Sequence, residues 1–284
     1  MIDSSIIKTN HKRSKFSIHL IDLGNGCEYS YQEKLFLYPA SLYKIFIGAE
    51  VLRQVEEGSL ALTQTVTVKK PNDADNEAHR YSTDLYPILK ASMNVEIDML
   101  LTLMLKRSDN TASNVLIDVV GRESIIKNII HRYGWHGSEV TRKFLNRSLE
   151  PKNYSEAQTT LNCAQHVAEF FKRVETDTLV SPYVSGKLRH YMKNCNENHQ
   201  ASSDAQIIYG KGGSLDINAN SLLTSIRQYV RHRGFIGYRS YGGVLEHKNR
   251  RVAFSIISQQ RVRRRQHTIE PLNSIAELIK TLEV

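Results

Sequence analysis

Ser41 and Lys44 stand three residues apart in Tyr38-Pro39-Ala40-Ser41-Leu42-Tyr43-Lys44, at the head of an apolar run. That spacing puts a hydroxyl and an ammonium on one face of a helix. Pro39 ends an extended approach, and Leu42, Ile45, Ala49, Leu52 and Val55 recur at helical intervals before Gly58, a C′ stop. The pattern predicts a helix over 42–55 with Ser41 at its N-terminus, where free N–H groups and the dipole favour developing negative charge. A lysine desolvated there reaches its neutral form and can accept the serine proton, which activates the nucleophile. Ser-x-x-Lys alone also describes a helix cap followed by a surface lysine, so the motif needs company.

Two further groups supply it. Ser108-Asp109-Asn110 separates an apolar helix expected over 95–106, with Met99, Leu100, Leu103 and Met104 buried, from a second helix over 111–120 closed by Gly121. Asp109 or Asn110 suits an N-cap, and that is the structural alternative to Ser108 and Asn110 facing a cleft on a tight turn. Lys211-Gly212-Gly213-Ser214 follows Ile207-Ile208-Tyr209, which reads as a strand.

The elements that must position these groups form a simple order. Phe16 to Leu23 alternates as a strand, Gly24-Asn25-Gly26 turns, and Cys27 to Leu37 returns as a second strand. Val66-Thr67-Val68 is a short strand, and Asn72 to Glu77 an exposed loop. Ile125, Ile126, Ile129, Ile130 and Tyr133 mark an amphipathic helix stopped at Gly134, and 161–174 another. Gly243 to Glu246 and Arg251 to Ile257 form a hairpin about His247–Arg250, and Ile275, Leu278, Ile279 and Leu282 give a closing helix over 273–282. Strands at both ends with helices between predict one discontinuous domain: a sheet lobe over about 1–62 and 203–284, and an all-helical lobe over about 63–202.

Composition bounds the function. A chain of 284 residues, 40% hydrophobic and 24% charged, is globular and holds no apolar run of membrane-spanning length. Residues 1–15 are polar and basic rather than a secretory signal, which fits a cytoplasmic protein or one whose leader has been removed. Cys27, Cys163 and Cys195 are widely spaced and lack histidine neighbours, so neither a metal site nor a disulfide framework is expected. The formal charge of +9 invites a nucleic-acid partner. Arg227, Arg231, Arg233, Arg239, Arg250, Arg251, Arg261 and Arg263 to Arg265 come without a nucleic-acid motif, so a solvated basic face is expected instead.

Taken together and in order, Ser41-x-x-Lys44, Ser108-Asp109-Asn110 and Lys211-Gly212-Gly213 resemble the motif set of class A β-lactamases and penicillin-binding proteins. The likeness is closest in Ser108-Asp-Asn-Thr-Ala-Ser-Asn114 and extends over most of the chain. It implies an α/β (α+β) fold of an antiparallel sheet with an inserted helical lobe, no cofactor or metal, and a monomer acting outside the cytoplasm. The implied substrate is a β-lactam or a D-Ala-D-Ala peptide. Ser41 is the implied nucleophile and Lys44 its base. Ser108 relays a proton to the leaving nitrogen, and Lys211 lowers the Ser108 pKa and draws the substrate carboxylate. Asn110 holds the acyl amide or Lys44, and the N–H groups of Ser41 and Ser214 receive the oxyanion.

Two departures stand out against that resemblance. Gly212 replaces the usual Thr or Ser, leaving Ser214 to carry more of the carboxylate contact. Arg147-Ser-Leu-Glu150-Pro151-Lys-Asn153 is similar to the segment whose glutamate activates the deacylating water, which makes Glu150 the candidate base, with Glu156 a second. Asn153 comes one residue early, however, and the run to Thr159-Thr160 is short. If neither glutamate serves, the resemblance leaves a penicillin-binding D,D-peptidase that acylates and deacylates slowly. A non-catalytic binding module on the same fold is the remaining alternative. Between Ser214 and Gly242 the chain is longer than the family pattern. Leu222, Ile226, Tyr229 and Val230 mark an added helix there, and Arg239 is a candidate carboxylate partner.

Overall fold

The computed structural model describes residues 14–74, 86–145, 149–150, 160–193, 205–216 and 235–262. The expected helix over 273–282, the stripe from Leu222 to Val230, and Arg147, Pro151, Asn153 and Glu156 lie outside the described residues. The chain divides into two units: Met1–Leu42, Leu161–Glu175 and Asn196–Val284 form one, and Tyr43–Thr160 with Thr176–Cys195 the other. Chain order alone groups the helix after Ser41 with the sheet and the helix after Leu161 with the helices; the packing assigns each to the opposite unit.

The first unit is built on an antiparallel sheet of β1 (Lys15–Asp22), β2 (Glu28–Tyr31), β5 (Ala205–Asp216), β6 (Phe235–His247) and β7 (Arg250–Val262), in the spatial order β2-β1-β7-β6-β5. Two-residue alternation gives it two working faces. On one, Phe16, Ile18, Leu20, Tyr241, Leu245, Val252, Phe254 and Ile256 are buried as one cluster. On the other rests a helix, Ala164–Glu175, whose Val167 and Phe171 lie against Gly242. Lys248 and Asn249, both with positive φ, make the tight β6–β7 turn, as two-residue hairpins require.

The second expected strand is cut short. Gln32 takes φ 45° and ends β2 after four residues. Leu37 then pairs with Asn162 instead, through Leu37 N–H to Asn162 O and Asn162 N–H to Leu37 O, both 2.9 Å. That pairing holds 161–163 extended, so the helix expected from Leu161 begins at Ala164.

The second unit is mostly helical. α1 (Lys44–Glu56) is followed by the two-stranded ribbon β3 (Thr65–Thr67) and β4 (Asn94–Glu96), then α2 (Ile97–Lys106) and α3 (Asn110–Val120). α4 (Arg122–Ile125) continues as a π turn, Ile126–Ile130, and a 3-10 turn, His131–Tyr133. Ile125, Ile129 and Ile130 of this run are fully buried, as its apolar stripe predicts. With Ala164–Glu175 numbered α5, the last described helix is α6 (Pro182–Met192), capped by Ser181, whose Oγ accepts from Val184 N–H.

α1 is the axis of this unit. Every residue from Lys44 to Leu52 is buried, and Gly48 lets the Leu105 and Leu188 side chains of α2 and α6 approach closely. Leu100, Leu103 and Met104 are buried as expected, while Met99 is partly exposed. Asn72, read from sequence as the start of an exposed loop, is buried. It donates to Asp118 at 2.7 Å and accepts from Lys143 Nζ at 2.8 Å, which removes the need for water. No helix among the described residues is long and apolar enough to cross a membrane.

Candidate active site

Ser41 does not open a regular α-helix. It sits in a 3-10 turn, Ala40–Tyr43, and α-helical geometry begins only at Lys44. The turn is tight: Ala40 takes φ 48° and Leu42 N–H bonds back to Pro39 O at 3.2 Å. A non-glycine residue held there is strained, a condition that surrounding contacts must sustain. In the sheet unit those contacts come from β5 and β6. Ser240 Oγ donates to the Pro39 carbonyl and lies 3.3 Å from Gly213 O. A Cβ on Gly213 would lie 2.6 Å from Ser41 N and 2.7 Å from Pro39 O. Gly213 is therefore glycine because the backbone of the serine turn occupies its side-chain space. Lys211, buried and on the same strand face as Gly213, donates to Gly212 O at 3.0 Å.

Gly212 has its own explanation. It pairs with Tyr241 across the sheet, and a Cβ there would meet the Tyr241 ring at 3.1 Å. The ring fills the space that a threonine or serine side chain would need. Ser214 and its cross-strand partner Arg239 share that face of the sheet, with the Ser214 side chain exposed. Arg239 Nη1 donates to Tyr238 O at 2.9 Å.

The helical unit gathers the Ser108-Asp109-Asn110 turn around Lys44. Its Nζ donates to Ser108 O at 2.6 Å and Asn110 Oδ1 at 2.8 Å, with Ser108 Oγ at 3.3 Å and Asp109 O at 3.4 Å. The side chain is wholly buried, as a lysine can be only when its donors are met. The turn that supplies these acceptors is a junction of two helices. Asp109 N–H reaches back to Leu103 O at 3.0 Å past the end of α2, with Ser108 between them in the left-handed region, φ 58°. Asp109 is then the N-cap of α3, accepting from Ala112 N–H at 2.8 Å. The cap and the site are thus the same three residues: Asp109 does the structural work, while Ser108 and Asn110 face Lys44.

Glu150 is placed differently. Its side chain is fully buried, and its Oε2 accepts from Arg122 Nη2 at 2.6 Å while Oε1 accepts from Lys143 N–H at 2.7 Å. The carboxylate is committed to Arg122 of α4 and to the backbone of Lys143. Sequence reasoning also passed over Phe144, whose ring centroid lies 4.1 Å from Lys44 Nζ. An isolated aromatic in a stretch without periodicity gives no local signal. Ser240 was missed for the same reason.

Comparison with known proteins bears directly on this geometry. The beta-lactamase enzyme family matches residues 2–281. A beta-lactamase from Rhodobacter capsulatus is 24% identical over 210 residues, covering 71% of this chain and 67% of that protein. The extended-spectrum beta-lactamase PER-1 of Pseudomonas aeruginosa is 28% identical over 145 residues, 50% of this chain and 44% of PER-1, so the match spans less than half of that enzyme. Among solved structures, PBP-A superposes with a TM-score of 0.74 at 14% identity, covering 98% of this chain and 92% of its own. The sheet, the helices and the ordered motifs agree with that match, which runs from one end of the chain to the other: the protein belongs to the beta-lactamase enzyme family.

Proposed function

We propose that this protein is a serine hydrolase that opens the amide of a β-lactam through an acyl-enzyme on Ser41. The observation that carries the reading is the grip on Lys44 Nζ, where acceptors from Ser108 and Asn110, 64 and 66 residues away in sequence, meet one buried ammonium. In its neutral form Lys44 takes the Ser41 proton as Oγ adds to the carbonyl carbon. The oxyanion is received by the N–H groups of Ser41 and Ser214, on either side of the close contact at Gly213. As the C–N bond breaks, the Ser108 hydroxyl gives its proton to the leaving nitrogen and regains one from Lys44, 3.3 Å away. Lys211 attracts the substrate carboxylate, and water then cleaves the ester to restore Ser41. Such substrates are met in the periplasm or outside the cell, where we place its action.

A second reading, a penicillin-binding D,D-peptidase that clears its acyl-enzyme slowly, is favoured by the commitment of Glu150 to Arg122 and Lys143 N–H. A variant of PBP-A forms an acyl-enzyme complex with penicillin G. Intact-mass measurement after mixing with a penicillin, beside a chromogenic cephalosporin assay, tests both. An adduct on the wild type and none on Ser41→Ala is expected; an equal adduct on the Ala variant sinks the assignment. Turnover without accumulation marks the hydrolase, and a persistent adduct the peptidase.

A further inference from the structure

One buried titratable group of the sheet unit lies outside the candidate site. His19 is buried on the face of β1 that α5 covers, opposite in the alternation to Ile18 and Leu20. Its Nε2 lies 3.4 Å from a Glu28 carboxylate oxygen of β2, which fixes the neutral ring as the Nε2–H tautomer. Nδ1 is buried, with no hydrogen-bond partner among the described residues. The same holds for Oγ of Ser255, the residue of β7 paired with His19 across the sheet. The layer around this pair fastens the chain that leads to the serine turn. Ser17, two residues before His19 on the same face, donates through Oγ to Glu33 O at 3.1 Å and accepts from the N–H of Ala164, the first residue of α5, at 3.0 Å. Gln165 N–H also donates to Glu33 O at 3.1 Å, and the Leu37–Asn162 pairing follows along the chain.

We propose that His19 is an acid-sensitive latch: neutral, it lets β1, β2 and α5 close on one another, and protonated it loosens that layer and with it the 33–37 approach to Ser41. The reason is where the proton goes. With Nε2–H turned to Glu28, acid adds at Nδ1 and creates a buried N–H and a buried charge with no acceptor in place. Charged groups act on the ring from the elements around it. Glu28 lies on β2 and Glu33 beyond it; α5 brings Lys172 and Glu169, the latter already bonded to Arg173 at 2.8 Å. β7 presents the uncharged Ser255. Burial is the largest influence and pushes the imidazole below its ordinary value of 6.5, against Glu28, Glu33 and Glu169 and with Lys172. Above pH 6.5 the ring is neutral in the folded and the unfolded chain, so the layer keeps its full stability. As pH falls below that value the unfolded chain takes the proton first, and stability is lost down to the folded value. The device is independent of the acyl-enzyme reading, and its test uses no substrate.

Imidazole nitrogen NMR and native-state hydrogen exchange test the latch on wild type, His19→Gln and Glu28→Gln. The wild-type His19 ring should report the Nε2–H tautomer and titrate below 6.5. Exchange of β2 and α5 amides, divided by the intrinsic rate, should rise between about pH 7.5 and about pH 5.5 by ~3–10-fold more in wild type than in His19→Gln. The upper figure, about ten-fold, is the ratio of charged to neutral imidazole one pH unit below its ordinary value. Amides of α1 and α3 in the helical unit should not share that difference. Glu28→Gln removes the strongest pull toward the charged form and changes a half-exposed side chain, so the fold is not at risk. Its ring should titrate lower than in wild type, with a larger rise in exchange. A wild-type ring that titrates at or above 6.5 overturns the inference, as does an acid rise as large in His19→Gln as in wild type. Should His19→Gln fail to fold, a rise in Glu28→Gln no larger than that of wild type overturns it instead.

Discussion

The sheet unit and the helical unit each hold their own candidate residues by opposite means. Around Ser41 the structure is made of backbone. Gly213 packs without a side chain against Ser41 N and Pro39 O, Ala40 bends the turn, and Ser240 fastens a carbonyl. Around Lys44 it is made of side chains with charge. Lys44 itself, the Glu150–Arg122 pair and Glu50, bonded to Arg53, Gln54, Ser124 and Asn128, are all buried or nearly so. The first arrangement is sensitive to volume and indifferent to charge. The second tolerates no loss of charge even at constant volume, because an abandoned partner stays buried.

The largest test of that contrast adds one carbon. Gly213→Ala should force the serine turn and β5 apart and lower the acylation rate by ~10²–10³, the effect of losing one oxyanion donor. Its melting temperature should fall as well, because the added carbon meets backbone atoms that cannot yield without moving the turn. A rate unchanged by this substitution would show that the close contact in the sheet unit is not used in the reaction. Gly212→Ala is the built-in control, since it meets only the ring of Tyr241, at 3.1 Å, and a ring can shift.

Next comes a change of charge at constant shape. Glu150→Gln keeps an acceptor for Lys143 N–H but strips the counter-charge from Arg122, whose side chain is 6% exposed. Breaking a buried pair from one side costs about 3–5 kcal/mol, and the retained acceptor points to the lower figure. Denaturant unfolding should therefore move to a lower midpoint, with adduct decay unchanged. Full stability combined with an adduct that wild type clears would instead make Glu150 the deacylating base.

The smallest effect is a slope. Burial pushes the Glu50 carboxyl up, yet hydrogen bonds from Arg53, Ser124, Gln54 and Asn128 outweigh it and hold the group below its ordinary value. A carboxyl depressed in the folded state contributes stability above its unfolded value, and that contribution is lost as pH falls through the folded one. Unfolding midpoints compared between about pH 7 and about pH 3.5 should fall for wild type and change less for Glu50→Gln. Equal slopes would mean that this network carries no net electrostatic stability, and the contrast between the units would rest on Glu150 alone.

What the sequence determined about this protein is what short spacing can encode. The apolar repeat after Leu42 became α1, Gly58 with φ 77° follows its end, and Asp109 caps α3. The β6–β7 hairpin closes between His247 and Arg250, as its flanking strands imply. The order of Ser41, Lys44, Ser108 and Lys211 carried the family. Helix periods, caps and two-residue turns are satisfied by neighbours within a few positions, so each leaves its mark on the local string. Tertiary structure decided the rest. It chose Arg122 over water as the partner of Glu150, laid Tyr241 over Gly212, started the serine turn as 3-10, and brought Phe144 to Lys44. Each of these outcomes depends on which distant surfaces pack together, and a contact between residues 28 or 100 positions apart has no period to announce it. The motifs were therefore legible in the local string, while the residue that attends the lysine became visible only once packing had carried it there.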